Sequence, residues 1–132
     1  MAQPTLFPES GFRRLRIDIA YDGTNFYGWG AQPDRRTIQD LVEEAISRIS
    51  RVDTNSIVAG RTDAGVHATG QVIHVDLPDA MFAGDLNYID FRYKLNRILD
   101  EDVRIMNITD APEGFHARIS ALRRYYVYKI ID

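Results

Sequence analysis

The order in which the hydrophobic period switches between two residues and three to four residues constrains this chain's fold more than any single residue. From Arg14 to Tyr21 apolar and polar residues alternate, with Leu15, Ile17, Ile19 and Tyr21 on one side and Arg14, Arg16 and Asp18 on the other. That is the two-residue period of a half-buried strand, closed by the turn pair Asp22-Gly23. After an aromatic and glycine-rich loop, Thr37 can cap a helix with Asp40 at the reciprocal position. Ile38, Leu41, Val42, Ala45, Ile46 and Ile49 then recur at three and four residue spacing, so the helix buries one face. Ser56 to Ala59 and Gln71 to Leu77 read as strands, the second closed by Pro78. Tyr88, Ile89, Arg92, Leu95, Ile98 and Leu99 mark a second helix within Asp85 to Leu99. Val103 to Ile108 alternates as a strand, and Arg123 to Ile131 is a long β-branched and aromatic run.

The resulting order is strand, helix, strand, strand, helix, strand, with one further strand at the C-terminus. It predicts an α+β fold of the ferredoxin-like, split βαβ kind, with an antiparallel sheet and helices on one face. Residues 1–12 are expected to be a flexible tail and 13–132 the folded unit. A chain of 132 residues fits one domain. Unrelated activities share this arrangement, so function must be argued from a site.

Composition narrows the setting. No apolar run approaches the ~18 residues that span a membrane. Cysteine is absent, which removes disulfides and thiolate metal sites. The N-terminal stretch MAQPTLFPESGF lacks a basic region followed by an apolar one, so no signal peptide is read and a cytoplasmic protein is expected. The net charge of −3 argues against a uniformly basic nucleic-acid binder. Charge is uneven, however: nine acids face four basic residues over 76–113, whereas 115–131 holds Arg118, Arg123, Arg124 and Lys129 without an acid. That strip is either a solvated face or a phosphate-binding one.

The polar, glycine-interrupted segment GRTDAGVHATGQ, Gly60 to Gln71, lies between two apolar strands. Loops of this kind, held by a rigid sheet, often carry function. Asp63 follows Arg61 by two residues; a guanidinium turned toward the same cavity would keep the carboxylate ionised, and an ionised carboxylate can attack carbon. A structural ion pair or a turn-forming aspartate explains the same spacing. The histidines His67, His74 and His116 show no metal-ligand spacing, so no metal is expected, and His74 reads as a strand residue. In the last strand Tyr126, Tyr128 and Ile130 share one face. They suit either core packing or stacking on an RNA base.

The contiguous GRTDAGVHA, Gly60 to Ala68, resembles the signature of the tRNA pseudouridine synthase A family. YDGTNFYGW, Tyr21 to Trp29, is similar to the family's first motif. Leu95, Asn96, Leu99, Asp102 and Val103 are similar to its third, and Phe115 to Ala121 with Tyr126 to Tyr128 to its fourth. The resemblance covers nearly everything from residue 14 to 132. It implies an enzyme that isomerises uridine to pseudouridine in the anticodon stem and loop of tRNA, without cofactor or metal, and that works as a homodimer. It implies Asp63 as the catalytic aspartate, Arg61 as an active-site arginine and Tyr126 as the tyrosine packed on the target base. Arg118 and His67 complete the substrate-binding candidates. A base inside a stem must leave its stack to be reached, which suits an aromatic wall such as Tyr126.

The chain departs from the family pattern in three places. Gly30 and Ala31 precede Gln32 where the family has glutamine directly after the Gly-Trp pair, and Asp100 stands where it usually has proline. Family members are also about twice as long, with a second half that closes the cleft, so the sequence is expected to be the N-terminal catalytic half-domain. The competing expectation is a non-catalytic RNA-binding module of the same fold, which would not require Asp63.

Overall fold

The computed structural model describes residues 7–22, 37–58, 68–112 and 114–117. Among these residues four strands and two helices follow one another as β1 (Phe12–Tyr21), α1 (Ile38–Ser50), β2 (Ile57–Val58), β3 (Ala68–Pro78), α2 (Tyr88–Ile98) and β4 (Val103–Asp110), with a 3₁₀ turn at Asp79–Phe82. The sheet order is β2-β3-β1-β4, and every neighbouring pair is antiparallel. This interleaves two βα units and is the ferredoxin-like, split βαβ arrangement. The additional C-terminal strand expected over 123–131 lies outside the described residues.

One core forms between one sheet face and both helices. Leu15, Ile17, Ile19 and Tyr21 from β1 meet Ile73, Val75 and Leu77 from β3 and Val103, Ile105 and Ile108 from β4. Ile38, Val42, Ala45 and Ile46 of α1 and Phe91 and Leu95 of α2 cover them. Burying each large aliphatic side chain contributes about 1.5–3 kcal/mol, so this layer supplies the main drive to fold.

Local chemistry sets the helix starts. Thr37 caps α1: its Oγ1 accepts from the Asp40 amide at 3.3 Å and donates to Asp40 Oδ2 at 2.8 Å. Asn87 caps α2, with Oδ1 accepting from the Asp90 amide at 2.8 Å.

Three sequence expectations shift. First, β3 starts at Ala68, not Gln71. Its pairing with β1 slips between Ile19–Gln71 and Tyr21–Ala68, so two β3 residues oppose one of β1, a bulge at which Gly70 is well suited. Second, the alternation expected over Val103 to Ile108 breaks in the middle. Asp18 pairs with Asn107 and Ile19 with Ile105, so Met106 is the extra residue of a bulge and is 54% exposed. Third, the buried face of α2 is carried by Phe91 and Leu95, whereas Ile89 is 71% exposed and Arg92 is exposed too.

Candidate active site

The antiparallel order gathers the motif-bearing connections at one end of the sheet. There β1 ends at Tyr21, whose backbone pairs with Ala68, the first residue of β3, and with Val103, the first of β4. The Asp22 amide donates to the Asp102 carbonyl at 2.8 Å and ties the two segments just beyond the strands. Short β2 runs antiparallel to β3, with Val58 opposite Ile73, so the connection carrying Gly60 to His67 leaves from the same end. That connection is held on its entry side by α1. Glu43 Oε2 accepts from the Ser56 amide at 2.7 Å and from the Ser56 hydroxyl at 2.9 Å, while Gln39 Nε2 donates to the same carboxylate oxygen at 2.9 Å.

Asp63, Arg61, His67, Arg118 and Tyr126 all lie outside the described residues. Their flanks are described: Val58 and Ala68 on either side of the Asp63 segment, and Ala117 immediately before Arg118.

Asn96 serves the third motif structurally. Its Oδ1 accepts from the Ile105 amide at 2.8 Å and its Nδ2 donates to the Ile105 carbonyl at 3.0 Å. The side-chain amide thus imitates a neighbouring strand along the edge of β4. Arg104 Nη1 returns a 2.6 Å hydrogen bond to the Asn96 carbonyl. The clamp fixes α2 against β4 where the strand bulges.

The sheet face away from the helices bears a polar cluster that sequence reasoning did not assemble. Arg14 and Asp76 are cross-strand partners, as are Arg16 and His74. Arg14 is buried and forms a two-point pair with Asp76, Nε to Oδ1 at 2.7 Å and Nη2 to Oδ2 at 2.9 Å. Its Nη1 donates to the Phe115 carbonyl at 2.9 Å. The Ala117 amide donates to His74 Nδ1 at 3.0 Å. Around the His74 ring stand Phe115, at 6.3 Å between centroids, and His116, at 4.7 Å, both edge-on. Phe115, His116 and Ala117 are all buried. The fourth motif therefore begins as a short segment fastened to the sheet face.

Burial lowers the His74 pKa to about 4, with the Arg14 charge and the neighbouring His116 acting in the same direction and Asp76 opposing them. A neutral imidazole is what the geometry requires, because Nδ1 can accept the Ala117 hydrogen only when unprotonated. The signal that could have found this cluster was the outward side of the β1 and β3 alternation, where Arg14, Arg16, His74 and Asp76 fall.

At the far end of α2 a second polar group links elements rather than forming a reaction centre. Arg13 donates to Asp79 at 2.8 Å and to the Tyr88 hydroxyl at 3.0 Å, and Tyr88 donates to Asp110. Burial and the Asp110 carboxylate raise the Tyr88 pKa, so the phenol stays protonated. Among the described residues no group of three or more His, Cys, Asp or Glu is placed to hold a metal ion. No helix among them is long and apolar enough to cross a membrane.

The sheet order, the two covering helices and the meeting of Tyr21, Ala68 and Val103 at one end of the sheet define a ferredoxin-like α+β scaffold. The tRNA pseudouridine synthase family profile matches residues 18–118, most of the chain. The chain belongs to the tRNA pseudouridine synthase family. A tRNA pseudouridine synthase A from Frankia casuarinae is 53% identical over 123 residues, which cover 92% of this chain and 43% of that protein. Proteins of the same name from Bifidobacterium animalis and Mycobacterium leprae are 50% and 47% identical, over 90% and 89% of this chain and 43% and 44% of their own lengths. The chain thus spans less than half the length of these curated relatives.

Proposed function

We propose that the protein, as the N-terminal catalytic half of a longer enzyme, isomerises uridine to pseudouridine in the anticodon stem and loop of tRNA, with Asp63 as nucleophile. The observation that carries this reading is the contiguous GRTDAGVHA, which falls inside the family match and between two strands anchored at one sheet end. The reaction breaks the bond from C1′ of ribose to N1 of uracil, turns the base and joins C1′ to C5. The C5 proton is lost to solvent and N1 gains one, so atoms balance without an oxidant or cofactor. A carboxylate can add to C6 of uracil or to C1′ and leave again afterwards. Arg61 supplies a positive charge beside it that favours the ionised form.

Tyr126 forms the wall against which the extruded base packs, and Arg118 and His67 contact the substrate, Arg118 through phosphate. Chain reach supports a shared site. His74, where Ala117 is fastened, lies six residues from Ala68 along β3, about 20 Å at the usual strand rise. The nine residues from Ala117 to Tyr126 can span up to about 30 Å. That length of chain is therefore enough to bring Tyr126 to the end from which the Asp63 segment leaves. The intact enzyme works as a cytoplasmic homodimer on this reading.

Formation of the C1′ to C5 bond expels the C5 hydrogen, so the full-length protein should release tritium from tRNA labelled at C5 of uridine. Release should fall to background when the anticodon-arm uridines are replaced by cytidine. Binding of tRNA without release would instead favour a non-catalytic RNA-binding module, and release unaffected by the replacement would move the target elsewhere in the tRNA.

A further inference from the structure

Phe115 to Ala117 is held on the helix-free face by two side chains from different strands, and by means that do not depend on packing alone. Arg14 of β1 grips the Phe115 carbonyl, and His74 of β3 accepts the Ala117 amide. Both are buried, and burying Arg14 is tolerated because Asp76 meets it at two points. A buried cation and a buried imidazole are costly ways to hold a loop, since apolar side chains could cover the same surface. What they add is direction: each fixes a backbone atom, so the segment's height above the sheet and its heading along β3 are both set. The chain then runs directly into Arg118.

We infer that His74 and Arg14 are positioning residues for the reaction, fastening Phe115–Ala117 so that the run bearing Arg118 and Tyr126 starts from a fixed point on the sheet. This rests on the proposed roles of Arg118 and Tyr126. The groups facing His74 are Arg14 and Arg16 from β1, Asp76 from its own strand, and Phe115 and His116 from the fastened segment. His74 acts through its unprotonated Nδ1, so the replacement that matters is the acceptor and not the ring. Asparagine places its side-chain oxygen where Nδ1 stands, glutamine places it one methylene farther out, and leucine offers none.

The test uses the full-length protein. His74→Leu should lower kcat for pseudouridine formation about tenfold or more while the KM for tRNA stays within about threefold, and the Ala117 amide should exchange with solvent faster. His74→Asn should restore kcat to within about threefold of wild type and restore the amide's protection. Should His74→Leu fail to fold, His74→Gln takes its place, with the expected loss relative to His74→Asn. Equal kcat in all variants, or equal loss in His74→Leu and His74→Asn, would overturn the proposal. Amide protection reads the fastening without any turnover, so its failure is separable from failure of the catalytic reading: an unprotected Ala117 amide in the wild type removes the fastening whatever the enzyme does.

Discussion

His74 concentrates several consequences in one side chain. Its folded-state pKa of about 4 lies below the ordinary 6.5, because burial and the Arg14 charge disfavour the imidazolium. The sign follows: the unfolded chain takes up a proton near pH 6.5 while the folded chain does not, so this stability is complete above 6.5 and is lost as pH falls toward 4. Between pH 6.5 and 5, above the usual carboxylate range, the loss from this group should be on the order of 1–2 kcal/mol. Urea unfolding followed across that interval should show the decline in the wild type and a flatter course in His74→Asn; a His74 that titrates near 6.5 by NMR would contradict it. Part of this was legible in the sequence. The alternation of β3 places His74 opposite the core, but its hydrogen-bond partner lies 43 residues away, and no period in the sequence brings Ala117 to it. Arg14 and Asp76 were hidden for the same reason, since their pairing depends on strand register.

Elements were legible where one choice was available and obscure where two competed. The start of α1 was fixed by Thr37 and its buried stripe by Ile38, Val42, Ala45 and Ile46, all at spacing that admits a single face. In α2 apolar residues at 88, 89, 91, 95, 98 and 99 suit two neighbouring faces. The inward one is chosen by contacts outside the helix: Phe91 packs edge-on to Phe82 of the 3₁₀ turn at 5.8 Å, and Asn96 clamps Ile105. The β4 bulge was unreadable because Met106, an apolar residue, stands outward. Once it is counted as the extra residue, Ile108 returns to the core with Val103 and Ile105. Asn96→Ala should remove both amide hydrogen bonds to Ile105 and lower stability by about 1–3 kcal/mol, read as a reduced urea midpoint with unchanged slope. Stability within ~0.3 kcal/mol of wild type would show that water replaces the clamp without cost.

At the scale of the molecule, strand order was the most legible property, because a split βαβ order allows few sheet arrangements and the chain adopts β2-β3-β1-β4. Convergence at the site was less so. The sequence separates Tyr21, Ala68 and Val103 widely, and only antiparallel pairing places them side by side at one end of the sheet. Asp63 and Tyr126 were identified through resemblance and not through period, since an aspartate near an arginine and a tyrosine in a strand are each common. The proposed reaction depends on the Asp63 carboxylate acting as a nucleophile. Asparagine keeps the shape of aspartate but cannot supply the attacking oxygen anion, whereas tRNA affinity is spread over many phosphate contacts. The most direct test is the single-turnover rate of pseudouridine formation and the filter-binding affinity of Asp63→Asn in the full-length protein, measured on the same tRNA. The expected result is a rate lower by about three powers of ten or more with affinity within a few fold of wild type; near-normal turnover, or a parallel loss of binding and rate, would contradict the account.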